Sequence, residues 1–220
     1  MTVEALAQAY EAKPESYFTN ARRDWLDPMP RDPSLRVLEL GCGNGATGAL
    51  ALAEGKCGAW VGIERHSPAA AEAGRTLTQV FEGDIDRLDL PLVDGSFDLL
   101  VMGEVLEHLP DPEAVLIRLV RFLKPSGVAL ASTPNIGHWR IVASLVAGRF
   151  DYEAQGVMDR THLKWFTPKS LKRAFEAAGL IEVGVRPLGW SCRAQVLSGA
   201  LPFHHLLWRQ LEARGVKPAG

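Results

Sequence analysis

The stretch that decides the fold runs Val37-Leu38-Glu39-Leu40-Gly41-Cys42-Gly43-Asn44-Gly45-Ala46-Thr47-Gly48. An alternating apolar run enters a glycine turn, and the segment from Ala46 to Ala53 that follows has helical composition. A strand, a tight turn and a helix N-terminus in that order bring backbone N–H groups close to a ligand. Glu39 narrows the chemistry. A carboxylate there repels a pyrophosphate and attracts a ligand carrying an ammonium and a sulfonium. Gly43, Gly45 and Gly48 also satisfy the dinucleotide pattern G-x-G-x-x-G. However, Gly41 is the glycine that closes the strand, so that match starts two residues late. No Arg or Lys lies between Arg36 and Lys56 to offset phosphate charge, which favours a sulfonium nucleoside over NAD.

The 220 residues suit one domain with a sizeable core. Lys plus Arg number 24 against 26 Asp plus Glu, so no broad basic footprint for nucleic acid is expected. Cys42, Cys57 and Cys192 are widely spaced and lack C-x-x-C, so neither a disulfide framework nor a metal site is expected. A reducing cytoplasm is the expected compartment. The opening MTVEALAQAYEAKPE lacks the apolar core of a secretory leader, and no run reaches the roughly 18 apolar residues of a membrane span.

Val3 to Trp25 has helical spacing divided at Pro14, and the proline-rich stretch 27–33 reads as a linker. Residues 1–33 are therefore expected to form a helical extension ahead of a ligand-binding domain over 34–220. Strands are expected at Arg36–Leu40, Ala59–Ile63, Thr78–Glu82, Phe97–Met102 and Val128–Ser132. Helices intervene near Ala46–Glu54, at Pro68–Leu77 with Ser67 as N-cap, and at Pro112–Phe122 with Asp111 as N-cap. Such alternation implies crossover connections: a doubly wound, mostly parallel α/β sheet with ligands outside the C-terminal ends of its strands. Beyond Asn135 the pattern loosens into an apolar helix at His138–Val146 and a loop at Gly148–Lys164. A helix at Ser170–Ala178 and a strand at Leu180–Arg186 follow. The tail fits either a helix over Leu206–Val216 or a poor strand over Gln210–Lys217.

Each chemically suggestive residue falls at the end of an expected strand. Glu64 follows the second, where two carboxylate oxygens match the two hydroxyls of a ribose. Asp84 follows the third, within reach of an adenine amine, or else serves simply as a turn residue. The set Glu39, Glu64 and Asp84, with GxGxG first, resembles the cofactor site of class I S-adenosylmethionine (SAM)-dependent methyltransferases. The resemblance implies a single Rossmann-like domain of seven strands, the last antiparallel, with an acceptor-side insert over 135–167. It places Gly41, Gly43 and Gly45 against the methionine part, Glu64 on the ribose and Asp84 on the adenine. Cys42, Arg65 and Ile85 are the neighbours that complete this set.

The string Glu104-Val105-Leu106-Glu107-His108-Leu109-Pro110-Asp111-Pro112 resembles the ubiquinone-biosynthesis-like methyltransferases, types 11, 12 and 23 of the class. By that resemblance Gly103, Glu104 and Val105 lie near the transferred methyl group. His108 reads either as a general base that takes the acceptor's hydroxyl proton or as packing for the next helix. Glu107 reads as solvated. A second segment, from Gly148-Arg149-Phe150 through Asp159-Arg160-Thr161-His162 to Phe166-Thr167, resembles types 12 and 23. There Asp159 and His162 either pair beside the acceptor or, with Thr161, hold a lid against the core through backbone hydrogen bonds. Arg149, Arg160 and Lys164 either bind an acidic acceptor or form a solvated face. The activity implied is transfer of the SAM methyl group to an oxygen or nitrogen of a small molecule, leaving S-adenosylhomocysteine (SAH). A monomer or homodimer is expected. The other readings are a SAM-binding regulator without transferase activity, an NAD-dependent oxidoreductase and an aminopropyl-transferring relative.

Overall fold

A computed structural model describes residues 21–189 and 203–219. The expected extension therefore lies largely outside the described residues. Its end is seen as α1 (Arg23–Leu26), with Trp25 and Leu26 buried. Seven strands form one sheet: β1 (Arg36–Leu40), β2 (Ala59–Glu64), β3 (Gln79–Glu82), β4 (Phe97–Gly103), β5 (Leu123–Pro134), β6 (Ile181–Pro187) and β7 (Gln210–Val216). Their order is β3-β2-β1-β4-β5-β7-β6. The first five strands pair in parallel, and β7 runs antiparallel between β5 and β6.

Helices α2 (Ala46–Ala53), α3 (Ser67–Ala73) and α4 (Pro112–Val120) connect the parallel strands, and α5 (Trp139–Val146) and α6 (Pro168–Ala177) follow β5. Leu38, Leu100, Leu116, Leu119 and Phe175 belong to one apolar cluster, and Val37, Trp60, Ala51, Leu77 and Trp25 to another. Consecutive β1 residues thus feed opposite faces, as a strand covered on both sides requires.

The tail is a strand. Leu211 and Ala213 are buried in the sheet, and Glu212, at 3% exposure, accepts from Trp25 Nε1 (3.2 Å) and Arg186 Nε (2.6 Å). At α3 the expected cap is corrected: His66, not Ser67, is the N-cap, its Nδ1 accepting from the Ala69 N–H. Asp111 caps α4 as expected, accepting from the Ala114 N–H at 3.0 Å.

Gly48 belongs to packing rather than to a dinucleotide turn. A Cβ there would collide with the Trp60 ring and stand 2.6 Å from Leu77 Cδ2. A helical Gly→Ala change ordinarily stabilises by about 1 kcal/mol. Overpacking against so large a buried ring costs about 1–3 kcal/mol and wins. Gly48→Ala is therefore expected to lower the thermal midpoint, and an unchanged or raised midpoint would contradict this packing.

Candidate functional site

Where β1 ends, the chain turns through Gly41 with φ +74°, and a Cβ there would stand 3.1 Å from Val105 Cγ2. Both the left-handed backbone and that close approach call for glycine. The turn is braced by Glu64 at the end of β2. Its Oε2 accepts from the Gly43 N–H (2.8 Å) and its Oε1 from the His66 N–H (2.7 Å). Burial raises its pKa, and these backbone donors pull it down. Each carboxylate oxygen retains a lone pair for a further donor.

Beside this turn, outside the C-terminal ends of the parallel strands, lies a cavity of about 260 Å³. Of the residues singled out from sequence, Gly41, Glu64, Arg65, Asp84, Ile85, Val105 and His108 line it. Leu109 after the 3₁₀ turn Leu106–His108, and Thr161 and Leu163 of the insert, also line it. The loop bearing Asp84 is tied down by Arg118 of α4, whose guanidinium donates to the carbonyls of Ile85 and Leu88. Arg118 does not stand out in the sequence, because the carbonyls it meets lie 30 and 33 positions away.

Other expected residues sit outside that wall. The Cys42 side chain packs into the core, where a Cβ on Gly62 would lie 2.5 Å from its Sγ. Gly43 faces Glu64, and Gly45 is the N-cap of α2. Gly103 is covered by Arg22 and Trp25, with Arg22 Nη1 2.9 Å from where its Cβ would stand. The same guanidinium stacks on Trp25 at 3.8 Å and donates to Ser132 Oγ at 3.0 Å. Glu104 adopts φ +53°, and its Oε1 is buried with no hydrogen-bond partner among the described residues.

Glu39 lies beneath the turn at 5% exposure, its Oε2 accepting from Trp60 Nε1 at 2.7 Å. Desolvation pushes its pKa up to about 7, against the lowering effect of that hydrogen bond. A raised carboxyl pKa gives the folded state a proton that the unfolded state has lost. This contribution is complete below the ordinary value of 4.5 and disappears as pH rises through about 7. Its size is about 3 kcal/mol. Chemical denaturation from pH 5 to pH 8 should therefore show falling stability, less steeply in Glu39→Gln. An equal slope in both proteins would remove Glu39 as a source.

The acceptor side departs most from expectation. Glu107 is not solvated but 1% exposed, in a 3₁₀ turn over Leu106–His108. The turn is covered by the insert, whose Leu163 and Lys164 N–H groups donate to the Glu107 carbonyl at 2.8 and 3.0 Å. Neither carboxylate oxygen has a partner of full hydrogen-bond geometry among the described residues. Burial, reinforced by the nearby Glu104 carboxylate, holds the Glu107 pKa well above the usual range, although the Thr133 hydroxyl is near enough to lower it somewhat.

His108 does not cap α4. Its Nδ1 lies 3.2 Å from the Thr161 carbonyl and 3.3 Å from Thr161 Oγ1. Asp159 Oδ1 accepts from the Thr161 N–H (2.8 Å) and hydroxyl (2.7 Å), fixing the loop that carries His162. The His162 ring stands 4.8 Å from that of His108, and its Nδ1 lies 3.0 Å from the Val157 carbonyl. A carbonyl only accepts, so Nδ1 carries the proton and Nε2 is the basic nitrogen of the neutral ring. Glu107, His108 and His162 offer ligand atoms that all lie within 4.8 Å of one another, a donor set for a divalent cation that sequence spacing did not reveal.

The sequence and the fold match known proteins. Residues 15–182 fit the model of a methyltransferase domain family. A ubiquinone biosynthesis O-methyltransferase of Paracidovorax citrulli is 30% identical, over 90% of this chain and 85% of the relative. A nocamycin O-methyltransferase of Saccharothrix syringae is also 30% identical, over 83% and 72%. The fold superposes on a SAM-dependent methyltransferase from Archaeoglobus fulgidus with a TM-score of 0.64 at 19% identity, covering 98% of this chain and all of that one. The chain belongs to the methyltransferase domain family. Its activity is SAM-dependent methyl transfer.

Proposed function

We propose that the protein transfers the SAM methyl group to an oxygen of a small molecule, with the nucleoside in the 260 Å³ cavity. The observation that carries this is the convergence of Glu64, Asp84 and His108 on one cavity beside the glycine turn. Glu64 accepts from the ribose hydroxyls, Asp84 from the adenine amine, and Ile85 packs on the ring. The methionine part extends under Arg22, which meets its carboxylate, while Glu39 and Glu104, whose pKa values burial raises, ionise toward its ammonium. In-line displacement at the sulfonium depends chiefly on holding nucleophile and methyl group close and aligned. His108 or His162 takes the acceptor's proton, and Asp159 positions the loop on which His162 stands. Both O-methyltransferase relatives support an oxygen acceptor.

A second reading, in which the two imidazoles act as ligands instead of as bases, rests on the unpartnered Glu107 carboxylate. Together with His108 and His162 it suits a divalent cation bound by one oxygen and two nitrogens. Such an ion would favour the deprotonated form of an acceptor hydroxyl.

Calorimetry with SAH and with NAD tests the cofactor assignment, and release of SAH from SAM on adding hydroxylated aromatic compounds tests the transfer. Binding of SAH with turnover of a phenolic acceptor is expected. Preferential binding of NAD would overturn the reading.

A further inference from the structure

Helix α5 is apolar yet buries none of its residues. Trp139, Leu145 and Val146 are 48%, 45% and 85% exposed, and Phe150 and Tyr152 just beyond the helix are 49% and 48% exposed. Exposed apolar surface so concentrated in one segment marks a binding face. Between α5 and the loop 149–158 it forms a concavity of about 1000 Å³.

Trp139, Leu145 and Phe150 supply apolar walls, and Arg140, Arg149 and Arg209 converge on the same space. Asp151 and Glu153 also line it. Yet none of these three guanidiniums or two carboxylates forms an ion pair among the described residues. The excess positive charge is felt by His138, whose pKa is lowered by burial and then by Arg140 and Arg209. Of the three rings Phe150, Tyr152 and Trp165, which stack edge-on and tilted with centroids 5.5 to 6.3 Å apart, Phe150 lines the concavity and the other two back it.

The concavity adjoins the loop that carries His162. Val157 and Met158 line it, while Thr161 lines the nucleoside cavity. His162 is linked to the first of these spaces by its Nδ1 contact with the Val157 carbonyl and lies one residue beyond Thr161. Of the three cations read from sequence as acceptor contacts, Arg149 lines this space. Arg160 and Lys164 do not, and Arg140 and Arg209 stand in their stead.

We propose that this concavity is the acceptor port, and that it selects small molecules with an aromatic or aliphatic body and a single anionic group. The assignment rests on the methyltransferase reading and adds the acceptor's chemical class to it. Unpaired guanidiniums are suited to a carboxylate, sulfonate or phosphate. The apolar walls gain by being covered. A bilayer is the poorer occupant, because the charges line a hollow rather than flank a flat face and two carboxylates share that hollow.

The test uses two fluorescent probes of one scaffold: anilinonaphthalene sulfonate, which is anionic, and neutral N-phenylnaphthylamine. With the full chain saturated in SAH, the sulfonate is expected to bind about tenfold more tightly than the neutral probe. Arg149→Gln/Arg209→Gln should erase most of that preference and leave affinity for the neutral probe and for SAH unchanged. Coumarate should displace the sulfonate and accept a methyl group more readily than its amide. Equal affinity for the two probes, or a preference that survives the double substitution, would overturn the inference. So would arginine-dependent sedimentation with phosphatidylglycerol vesicles in place of probe binding. Failure of SAH to bind is a different result, which would sink the methyltransferase reading itself.

Discussion

Glu64→Ala is expected to weaken SAM and SAH binding by a hundredfold or so while the protein remains folded. The carboxylate has two duties. In the proposed complex its remaining lone pairs would meet the ribose, and it already accepts the Gly43 and His66 N–H groups at 2.8 and 2.7 Å. Hydrogen bonds to a charged group are worth about 1.5–3 kcal/mol each, so losing two on the ligand amounts to about 3 kcal/mol or more. Truncation also releases the glycine turn, which adds to the loss. Glu64→Gln separates the two duties. Its carbonyl oxygen still accepts one backbone donor, whereas its amide cannot accept a ribose hydroxyl, so an intermediate loss is expected. Calorimetry with SAH provides the measurement, and wild-type affinity in Glu64→Ala would remove Glu64 from the site.

Glu64 was legible in the sequence because its role is local in pattern. A buried β-strand announces itself by an apolar run, and the residue that ends it must face the ligand edge. The same logic recovered five parallel strands and the cavity residues Gly41, Asp84, Ile85 and Val105. It failed where a partner lies far along the chain. Glu212 and Arg214 gave β7 a poor strand composition. The sheet accommodates Glu212 only because Arg186 and Trp25, 26 and 187 residues away, meet its carboxylate. Glu107 looked solvated because it stands among polar residues and prolines. It is buried because the insert, some 56 positions later, donates two backbone N–H groups to its carbonyl. Arg22 was invisible for a similar reason, since its contact with Ser132 spans 110 residues.

That buried carboxyl leads to the second large effect, in which stability and activity move in opposite directions. Glu107→Met should raise thermal stability and reduce turnover by about 100-fold or more. A polar group buried without a compensating hydrogen bond costs about 1–3 kcal/mol on protein mutational scales, and an apolar side chain of similar length removes that penalty. The gain should be larger at pH 8 than at pH 5. A carboxyl whose folded pKa is raised destabilises the fold only as pH climbs past its ordinary value, and methionine has no proton to lose. A buried carboxyl of raised pKa beside two imidazoles is a candidate functional group. Beside His108 and His162, Glu107 can hold a cation or set the charge around the acceptor's proton, and general acid–base assistance is worth about 10²–10⁴ in rate. SAH affinity should remain close to wild type, because Glu107 does not line the nucleoside cavity. Midpoints recorded with Mn²⁺ and with a chelator decide between the two roles: an ion that stabilises wild type but not Glu107→Met identifies a ligand, and no difference leaves the electrostatic role. A lowered midpoint with wild-type turnover would show that Glu107 is satisfied within the fold and takes no part in transfer.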